Sequence, residues 1–241
     1  MKKNRYLAII PARAGSKRIP GKNTKSLGGQ PLIGWTIKAA KNSNSFVDIL
    51  VSTDCEVTAK ISKKAGALVP WLRPDELSSD TAKSTDVIAH ATKWYEKEFG
   101  CIEAVMMLQP TSPFRTHKSI QEAIEIYEEQ ILQDKKNSVI SVAIAETHPA
   151  WTFIDKRGNF EPCMGWEIFK LRSQELPKAY ALNGAIYLIT SERARNGENI
   201  VSEGFIPYLM QNDYECIDID TIEDWNKAVN CLKQGLIDNK Q

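Results

Sequence analysis

The hydrophobic positions of the chain form short apolar runs that alternate with segments of helical periodicity. The runs predict buried strands, and apolar residues that recur every three or four positions predict amphipathic helices. Strands are predicted over residues 6–10, 47–52, 103–109, 138–144, 184–190 and 214–220. Helix faces are predicted from Ile33, Ile37 and Ala40, from Val57, Ile61 and Ala65, from Ile88, Ala91 and Tyr95, from Ile120, Ile124 and Tyr127, and from Trp225, Ala228, Val229 and Leu232. This alternation indicates the α/β class, with a mainly parallel twisted sheet and helices on both faces.

The alternation stops between residues 146 and 182. This stretch contains three prolines and two tryptophans, Trp151 and Trp166, without a clear period. We interpret it as an excursion from the sheet, because proline interrupts both helices and central strands. No repeat or low-complexity linker divides the chain, so we expect a single domain over residues 1–241.

Composition and charge narrow the classes of function. The chain has 241 residues, 42% of them hydrophobic, which suffices for one well-buried domain. A net charge of +1 provides no overall field to attract nucleic acid or an anionic membrane. Five scattered cysteines without a CxxC pair indicate free thiols in a reducing compartment. The N-terminal apolar run is too short for a signal peptide, and no stretch approaches the roughly 20 apolar residues of a membrane span. We therefore expect a cytoplasmic protein with neither a nucleic-acid nor a membrane partner.

Positive charge concentrates directly after the first predicted strand, in the stretch "IIPARAGSKRIPGKN" at residues 9–23. It does not match the GxGxxG dinucleotide fingerprint. The P-loop spacing also fails, because Gly15 and Gly21 stand one residue too far apart and Asn23 replaces the hydroxyl residue. A basic loop at the carboxyl end of a strand remains a candidate anion site, because ligands of open α/β sheets bind there. The alternative is a solvated basic loop without a ligand.

The stretch resembles the N-terminal signature of the CMP-sugar synthetases, the cytidylyltransferases that act on sialic acids. Further blocks resemble that family in the same order: "LRPDELSSDTAKST" at 72–85, "LQPTSPFRT" at 108–116, "LPKAYALNGAIY" at 176–187 and "IDIDT" at 217–221. The resemblance extends over almost the whole chain and implies a Rossmann-like nucleotidyltransferase with a small dimerisation arm. It also implies that the anomeric hydroxyl of a 2-keto sugar acid attacks the α-phosphorus of CTP and that pyrophosphate leaves.

The "IDID" segment is a candidate magnesium site. If it is a strand, Asp218 and Asp220 share one face while Ile217 and Ile219 are buried on the other. Two carboxylates on one face suit Mg²⁺, which takes one or two carboxylates together with phosphate oxygens and water. The alternative is a strand with a wet polar face.

The resemblance also implies roles for individual residues. The catalytic set is Arg13, Lys17, Lys22, Asp218 and Asp220, and the last two are the predicted Mg²⁺ ligands. The predicted CTP-binding set is Ala12, Arg13, Ala14, Gly15, Ser16, Lys22, Asn23, Arg73, Ala82 and Ser84. The predicted sugar-binding set is Gln109, Arg172, Lys178, Tyr180 and Asn183. No residue is assigned as the general base.

The resemblance leaves the sugar open. Sialic-acid enzymes commonly carry an Arg three residues before the Leu-Pro pair, where this chain has Ser173, and Arg172 stands one position earlier. The "NGAIY" block resembles sialic or legionaminic enzymes rather than pseudaminic ones. The aromatic segments at 146–182 and 205–208 resemble the family's dimer-forming arm and imply a homodimer, although their rings could instead fill the chain's own core. The alternatives are CMP-activation of legionaminic, pseudaminic or Kdo acids, or a non-catalytic nucleotide-binding module on the same fold.

Overall fold

The computed structural model describes residues 5–132 and 138–237. The predicted domain also includes residues 1–4, 133–137 and 238–241, which lie outside these ranges. The strands are β1 Tyr6–Pro11, β2 Ser26–Leu27, β3 Gln30–Pro31, β4 Phe46–Ser52, β5 Ala104–Met107, β6 Val139–Ile144, β7 Phe153–Lys156, β8 Asn159–Pro162, β9 Tyr180–Thr190 and β10 Ile206–Leu209. The helices are α1 Leu32–Ser43, α2 Glu56–Lys64, α3 Ser84–Phe99, α4 His117–Leu132, α5 Ser191–Asn196 and α6 Ile222–Lys233.

Six strands form the main sheet in the order β10-β6-β9-β5-β1-β4. β1 pairs in parallel with β4 and β5, and β10 pairs in parallel with β6. β9 lies between β5 and β6 and runs antiparallel to both. The prediction of a mainly parallel sheet is thus confirmed, with one reversed strand that the periodicity did not reveal.

Helices cover both faces of this sheet. Ala8 and Ile10 of β1 belong to one buried cluster, which also contains residues of α1, α2 and α4. Leu7 and Ile9, which point to the other face, belong to a second cluster with residues of α3 and α5. Alternate side chains of a strand point to opposite faces, so an unbroken apolar run is what a strand covered on both sides requires.

Two local predictions are wrong. Residues 217–220 are not a strand but extended backbone after a short 3₁₀ turn at Asp213–Cys216. In α2, Ile61 and Ala65 pack against the first cluster as predicted, but Val57 is 56% exposed. Thr58, Ala59 and Ser62 are buried instead. The small side chains of this helix face the protein because they allow α2 to pack closely, and the larger apolar residue at its start lies outside that contact.

The predicted excursion leaves the main sheet as a β7–β8 hairpin followed by short 3₁₀ turns. We call residues 146–179 the arm, because β9 already begins at Tyr180. Its large apolar side chains are exposed, including Trp166 at 65% and Phe160 at 61%, so they do not fill the chain's own core. The 205–208 segment is different: it leads into and forms most of β10, and Tyr208 is buried in the core.

Two predictions that rest on composition concern the cysteines and membrane-spanning segments. All five cysteines lie in the described ranges and are free thiols. Among the helices in those ranges, none is long and apolar enough to cross a membrane.

Candidate functional site

A cleft of about 470 Å³ opens at the carboxyl ends of β1 and β5. It brings together the basic loop, the turn after β5 and the acidic segment near the C-terminus. The residues predicted from sequence that line it are Arg13, Ser16, Lys17, Lys22, Asn23, Arg73, Ala82, Ser84, Gln109 and Asp220. Parallel strands end at a common sheet edge, which explains how residues 200 positions apart come to share one cavity.

The basic loop is held from both sides by polar contacts to its own backbone. The Asn23 side-chain amide donates to the carbonyl of Arg13 at 3.0 Å, and the Asp54 carboxylate accepts from the amide of Ala14 at 2.8 Å. Gly21 adopts φ +65, the left-handed conformation that favours glycine. Ala14 and Gly15 face an adjoining groove of about 420 Å³. The loop is therefore preshaped.

Asp80 pairs with two of the loop's cations. Its carboxylate lies 2.9 Å from Arg13 Nη1 and 2.5 Å from Lys17 Nζ. The hydrogen bond and the charge of Lys17, together with Arg13, lower the pKa of the Asp80 carboxyl. The loop therefore already attracts an oxyanion, because a carboxylate presents the same charged oxygens as a phosphate.

Lys22 connects the basic loop to the acidic segment. Its ammonium is largely buried and donates to the carbonyl of Ile219 at 2.6 Å and to Asp220 Oδ1 at 3.0 Å. An ammonium has three donors, so one remains for another acceptor in the cleft. Arg18 adds a weaker contact of 3.4 Å to Asp220 Oδ2. The two ends of the chain thus face each other directly.

The acidic segment keeps only part of the predicted alternation: Ile217 and Asp218 are both half-buried, and Asp220 is exposed. Ile219 is fully buried in a third hydrophobic cluster, and its amide donates to the carbonyl of Thr111 at 2.7 Å. Burial, with repulsion from Asp220, raises the pKa of the Asp218 carboxyl, and a hydrogen bond from Thr111 and the charge of Lys22 oppose this. The Ile219 anchor therefore fixes the two carboxylates on either side of it.

Of the two predicted Mg²⁺ ligands, Asp220 lines the cleft and Asp218 does not. Asp218 Oδ1 is buried and has no hydrogen-bond partner among the described residues. Such an atom is costly unless a cation or donor reaches it. No group of three His, Cys, Asp or Glu side chains gathers to hold a metal within residues 5–132 and 138–237. The donor set therefore suits an ion such as Mg²⁺, which completes its shell with phosphate oxygens and water.

Arg73 lines the cleft, and its position there is fixed by backbone carbonyls. It is buried, its Nη2 donates to the Ser52 carbonyl at 2.8 Å, and its own amide donates to the Thr53 carbonyl at 2.7 Å. Burial lowers the pKa of the guanidinium, and the Asp54 carboxylate opposes that effect. Ala12, which we predicted beside the nucleotide, is instead a core residue that does not line the cleft.

The predicted sugar-binding residues separate into three groups. Gln109 lines the cleft. Asn183 is buried elsewhere, where its Oδ1 accepts from Ser141 Oγ at 2.6 Å and its amide nitrogen contacts Met210 Sδ at 3.0 Å. Asn183 is not among the residues that line the cleft of its own chain. Arg172, Lys178 and Tyr180 are exposed and do not line this cleft either.

Sequence reasoning missed Asp80 and Arg115. Asp80 lies inside a quoted block, but only its contact with a loop 67 positions earlier reveals it. Arg115 also lies in a quoted block and is 2% exposed. The periodicity of apolar residues does not predict a buried arginine. Its burial depends on acceptors that come from distant parts of the chain.

Comparisons with known proteins agree with this geometry. A family model described as cytidylyltransferase matches residues 7–201. The chain is 39% identical over 222 residues to the CMP-N,N'-diacetyllegionaminic acid synthase of Legionella pneumophila, covering 92% of this chain and 93% of that protein. It is 34% identical over 229 residues to the N-acylneuraminate cytidylyltransferase of Streptococcus agalactiae, covering 94% of this chain and 53% of that protein.

The fold is similar to that of a solved CMP:2-keto-3-deoxy-manno-octonic acid synthetase complexed with CTP. The TM-score is 0.70 at 15% identity, and the match covers 96% of this chain and 100% of that one. At this identity the likeness concerns the fold alone. Together with the family model and the curated relatives, it leads to one conclusion: the chain belongs to the cytidylyltransferase family and is a nucleotidyltransferase enzyme.

Proposed function

We propose that this enzyme transfers CMP from CTP to the anomeric hydroxyl of a nine-carbon sialic-type 2-keto sugar acid. The hydroxyl oxygen forms a bond to the α-phosphorus, the bond from that phosphorus to the bridging oxygen breaks, and pyrophosphate leaves. The hydroxyl proton passes to solvent. Such a step depends mainly on positioning and on stabilising negative charge as it develops.

One observation carries the proposal: Lys22 of the basic loop and Asp220 of the acidic segment meet 3.0 Å apart in a single cleft. The oxygens of a triphosphate need cations, which basic side chains and a metal ion supply. The metal ion in turn needs carboxylates that hold it. Only a site that offers both in one cavity satisfies these needs together.

The basic loop holds the triphosphate in this proposal. Arg13 and Lys17 exchange the Asp80 carboxylate for phosphate oxygens, and Lys22 uses its remaining donor. The reaction transfers negative charge to the departing pyrophosphate, so fixed cations stabilise the transition state more than the ground state. Ser16 and Asn23 line the same part of the cleft and complete the predicted contacts.

Asp218 and Asp220 would hold Mg²⁺. When bound, this ion neutralises charge on the phosphate oxygens. The unpartnered Asp218 Oδ1 supports its assignment as a ligand. Asp220 is the more exposed of the two and is also the partner of Lys22, so it connects the ion's site with the basic loop.

The nucleoside half of CTP would lie against Arg73, Ala82 and Ser84, which line the same cleft as Asp220. A buried guanidinium with fixed carbonyl partners provides a rigid wall there. A pocket of this kind favours cytosine over uracil when its groups pair with the 4-amino group, because the wrong base leaves buried polar groups unpaired.

For the sugar acid, Gln109 is the contact within the same chain. Arg172 and Lys178 lie in the arm, Tyr180 follows it directly, and none of them lines this cleft. In our proposal they act on the cleft of a second subunit. The exposed aromatic surface of the arm supports a homodimer, since contiguous apolar patches commonly mark interfaces. We further propose that the enzyme works in the cytoplasm.

Activation of a legionaminic acid is the second candidate. The match to the Legionella relative extends over nearly the full length of both proteins and favours this substrate. Both candidates are nine-carbon 2-keto acids, and they differ in substituents that the nucleotide half of the cleft does not contact. The two candidate functions therefore share the transfer of CMP from CTP and differ only in the sugar pocket.

Pyrophosphate release with CTP, Mg²⁺ and a panel of sialic, legionaminic, pseudaminic and Kdo acids tests the proposal. We expect release with a sialic or a legionaminic acid, and loss of turnover in Asp218→Asn and Asp220→Asn without loss of fold by circular dichroism. Near-normal turnover in both variants would contradict the metal role. Release with Kdo alone would contradict the proposed substrate class.

A further inference from the structure

Arg115 is the largest of the fully buried side chains, although it carries a charge. It stands at the end of the turn that connects β5 to α4. Its Nε donates to the Ala185 carbonyl at 2.8 Å and its Nη1 to Thr36 Oγ1 at 2.9 Å. Its Nη2 donates to the Gln109 carbonyl. The guanidinium thus joins three elements that are far apart in sequence.

One of these acceptors belongs to a residue that lines the cleft, Gln109. Another, Ala185, follows Gly184 of β9, which does not line the cleft but lies against the Gln109 side chain. Gly184 has φ +74, and a Cβ there would lie 2.7 Å from Gln109 Oε1 and 3.6 Å from Asp218 Cγ. The Gln109 side chain and the Asp218 carboxylate therefore converge over this glycine. Arg115 holds the backbone on both sides of that convergence, at Gln109 and at Ala185.

Arg115 keeps its charge although it is buried. Burial lowers the pKa of its guanidinium to about 9, and the Asp218 carboxylate opposes this, so the group stays cationic at neutral pH. It forms no ion pair with a carboxylate within the described residues, as its donors face carbonyl and hydroxyl oxygens. A buried cation without a carboxylate partner costs stability. The planar guanidinium offsets that cost because it donates to several fixed acceptors at once.

We propose that Arg115 is a positioning residue: it fixes the Gln109 turn against β9 so that the Gln109 side chain in the cleft and the Asp218 carboxylate keep their mutual placement. This inference rests on the proposed function, in which Gln109 contacts the sugar acid and Asp218 the metal. It assigns the effect to the geometry of the reacting groups and not to nucleotide binding, because the hydrogen-bond acceptors of Arg115 lie on β9, on α1 and in the turn after β5 and not in the basic loop.

The test compares Arg115→Lys, which keeps the charge but loses the fork, with Arg193→Lys as a matched control. Arg193 is also a mostly buried arginine with three bonding partners, Glu198, Asn199 and Ser202, and it lies outside the cleft. We expect Arg115→Lys to lower kcat by about 10- to 100-fold, since small misplacements of reacting groups have effects of that order. The KM for CTP should change by less than about 3-fold, and Arg193→Lys should leave kcat unchanged.

An unchanged kcat in Arg115→Lys would overturn the proposal, as would an equal loss in both variants at an equal fall in melting temperature. If Arg115→Lys does not fold, Thr36→Val removes only one acceptor, and we expect kcat to fall about 3- to 10-fold, roughly the worth of one hydrogen bond. Unchanged kcat in Thr36→Val would then count against the proposal.

A separate measurement distinguishes this inference from the proposed function. If the wild-type enzyme turns over none of the sugar acids, the proposed function fails and the positioning role is measured by hydrogen–deuterium exchange. The amides of Ser112 and Ile219 donate to the carbonyls of Gln109 and Thr111. We expect both to exchange faster in Arg115→Lys or Thr36→Val than in Arg193→Lys. Equal exchange would overturn the positioning role.

Discussion

Replacing Lys22 by Met tests whether the basic loop serves the nucleotide or only the fold. Met has a similar length, so it fills the same space but has no donor. The substitution leaves the buried carbonyl of Ile219 without its 2.6 Å partner and separates the basic loop from Asp220.

The loss of folding stability follows from these contacts. An unpaired buried carbonyl costs about 1–3 kcal/mol. The pair with Asp220 adds at most about 1 kcal/mol, because half of that carboxylate is exposed and screened by solvent. A total of about 1–4 kcal/mol should lower Tm by about 2–16 °C in a chain of this length.

The loss in nucleotide binding is separate. If the third donor of Lys22 holds a phosphate oxygen, removing it forfeits a charge-assisted hydrogen bond of about 1.5–3 kcal/mol. The dissociation constant for CTP should then rise about 10- to 100-fold.

The assay is calorimetric titration of CTP in the presence of Mg²⁺, together with thermal melting. Lys25→Met is the matched control: this lysine is three residues away, is exposed, and lies 4.6 Å over the Trp225 ring outside the cleft. It should lose less than about 1 kcal/mol of stability and none of its CTP affinity. If Lys22→Met melts lower but binds CTP as tightly as the wild type, Lys22 is purely structural and the reasoning is refuted.

Three further predictions follow from individual contacts. Asp80→Asn releases the loop cations, so CTP should bind roughly 2- to 5-fold more tightly at low salt; weaker binding would mean that the carboxylate supports the site. Gly184→Ala should reduce kcat far more than Gly158→Ala, because both glycines have positive φ but only the first would place a Cβ against cleft side chains; equal effects would indicate backbone strain alone. Trp166→Asp should convert a dimer to a monomer in sedimentation, while Val57→Asp, a change at another exposed apolar residue outside the arm, should not; a dimer in both would contradict the arm's role.

Much of the fold and one half of the site could be predicted from sequence. β1 is an unbroken apolar run because helices cover both of its faces, and such a run is readable locally. The basic loop follows that strand. The acidic pair flanks Ile219, and the burial of this residue can be predicted from the local alternation of apolar and acidic residues. A shared sheet edge then brings the loop and the pair together.

The rest depends on long-range contacts that have no local period. The reversed direction of β9 is set by its pairing with β5 and β6, and the same apolar run would suit either direction. Burial of Thr58 and exposure of Val57 depend on what packs against α2. Arg115 was missed for a similar reason, since a charged residue in a turn predicts exposure unless distant carbonyls are known to surround it.

The central claim is that one cleft holds CTP between the basic loop and a carboxylate-bound magnesium ion. The most direct test is the CTP dissociation constant measured with and without Mg²⁺ in the wild type and in Asp218→Asn. We predict that Mg²⁺ tightens CTP binding in the wild type and has no such effect in the variant. An equal tightening in both proteins would contradict the account.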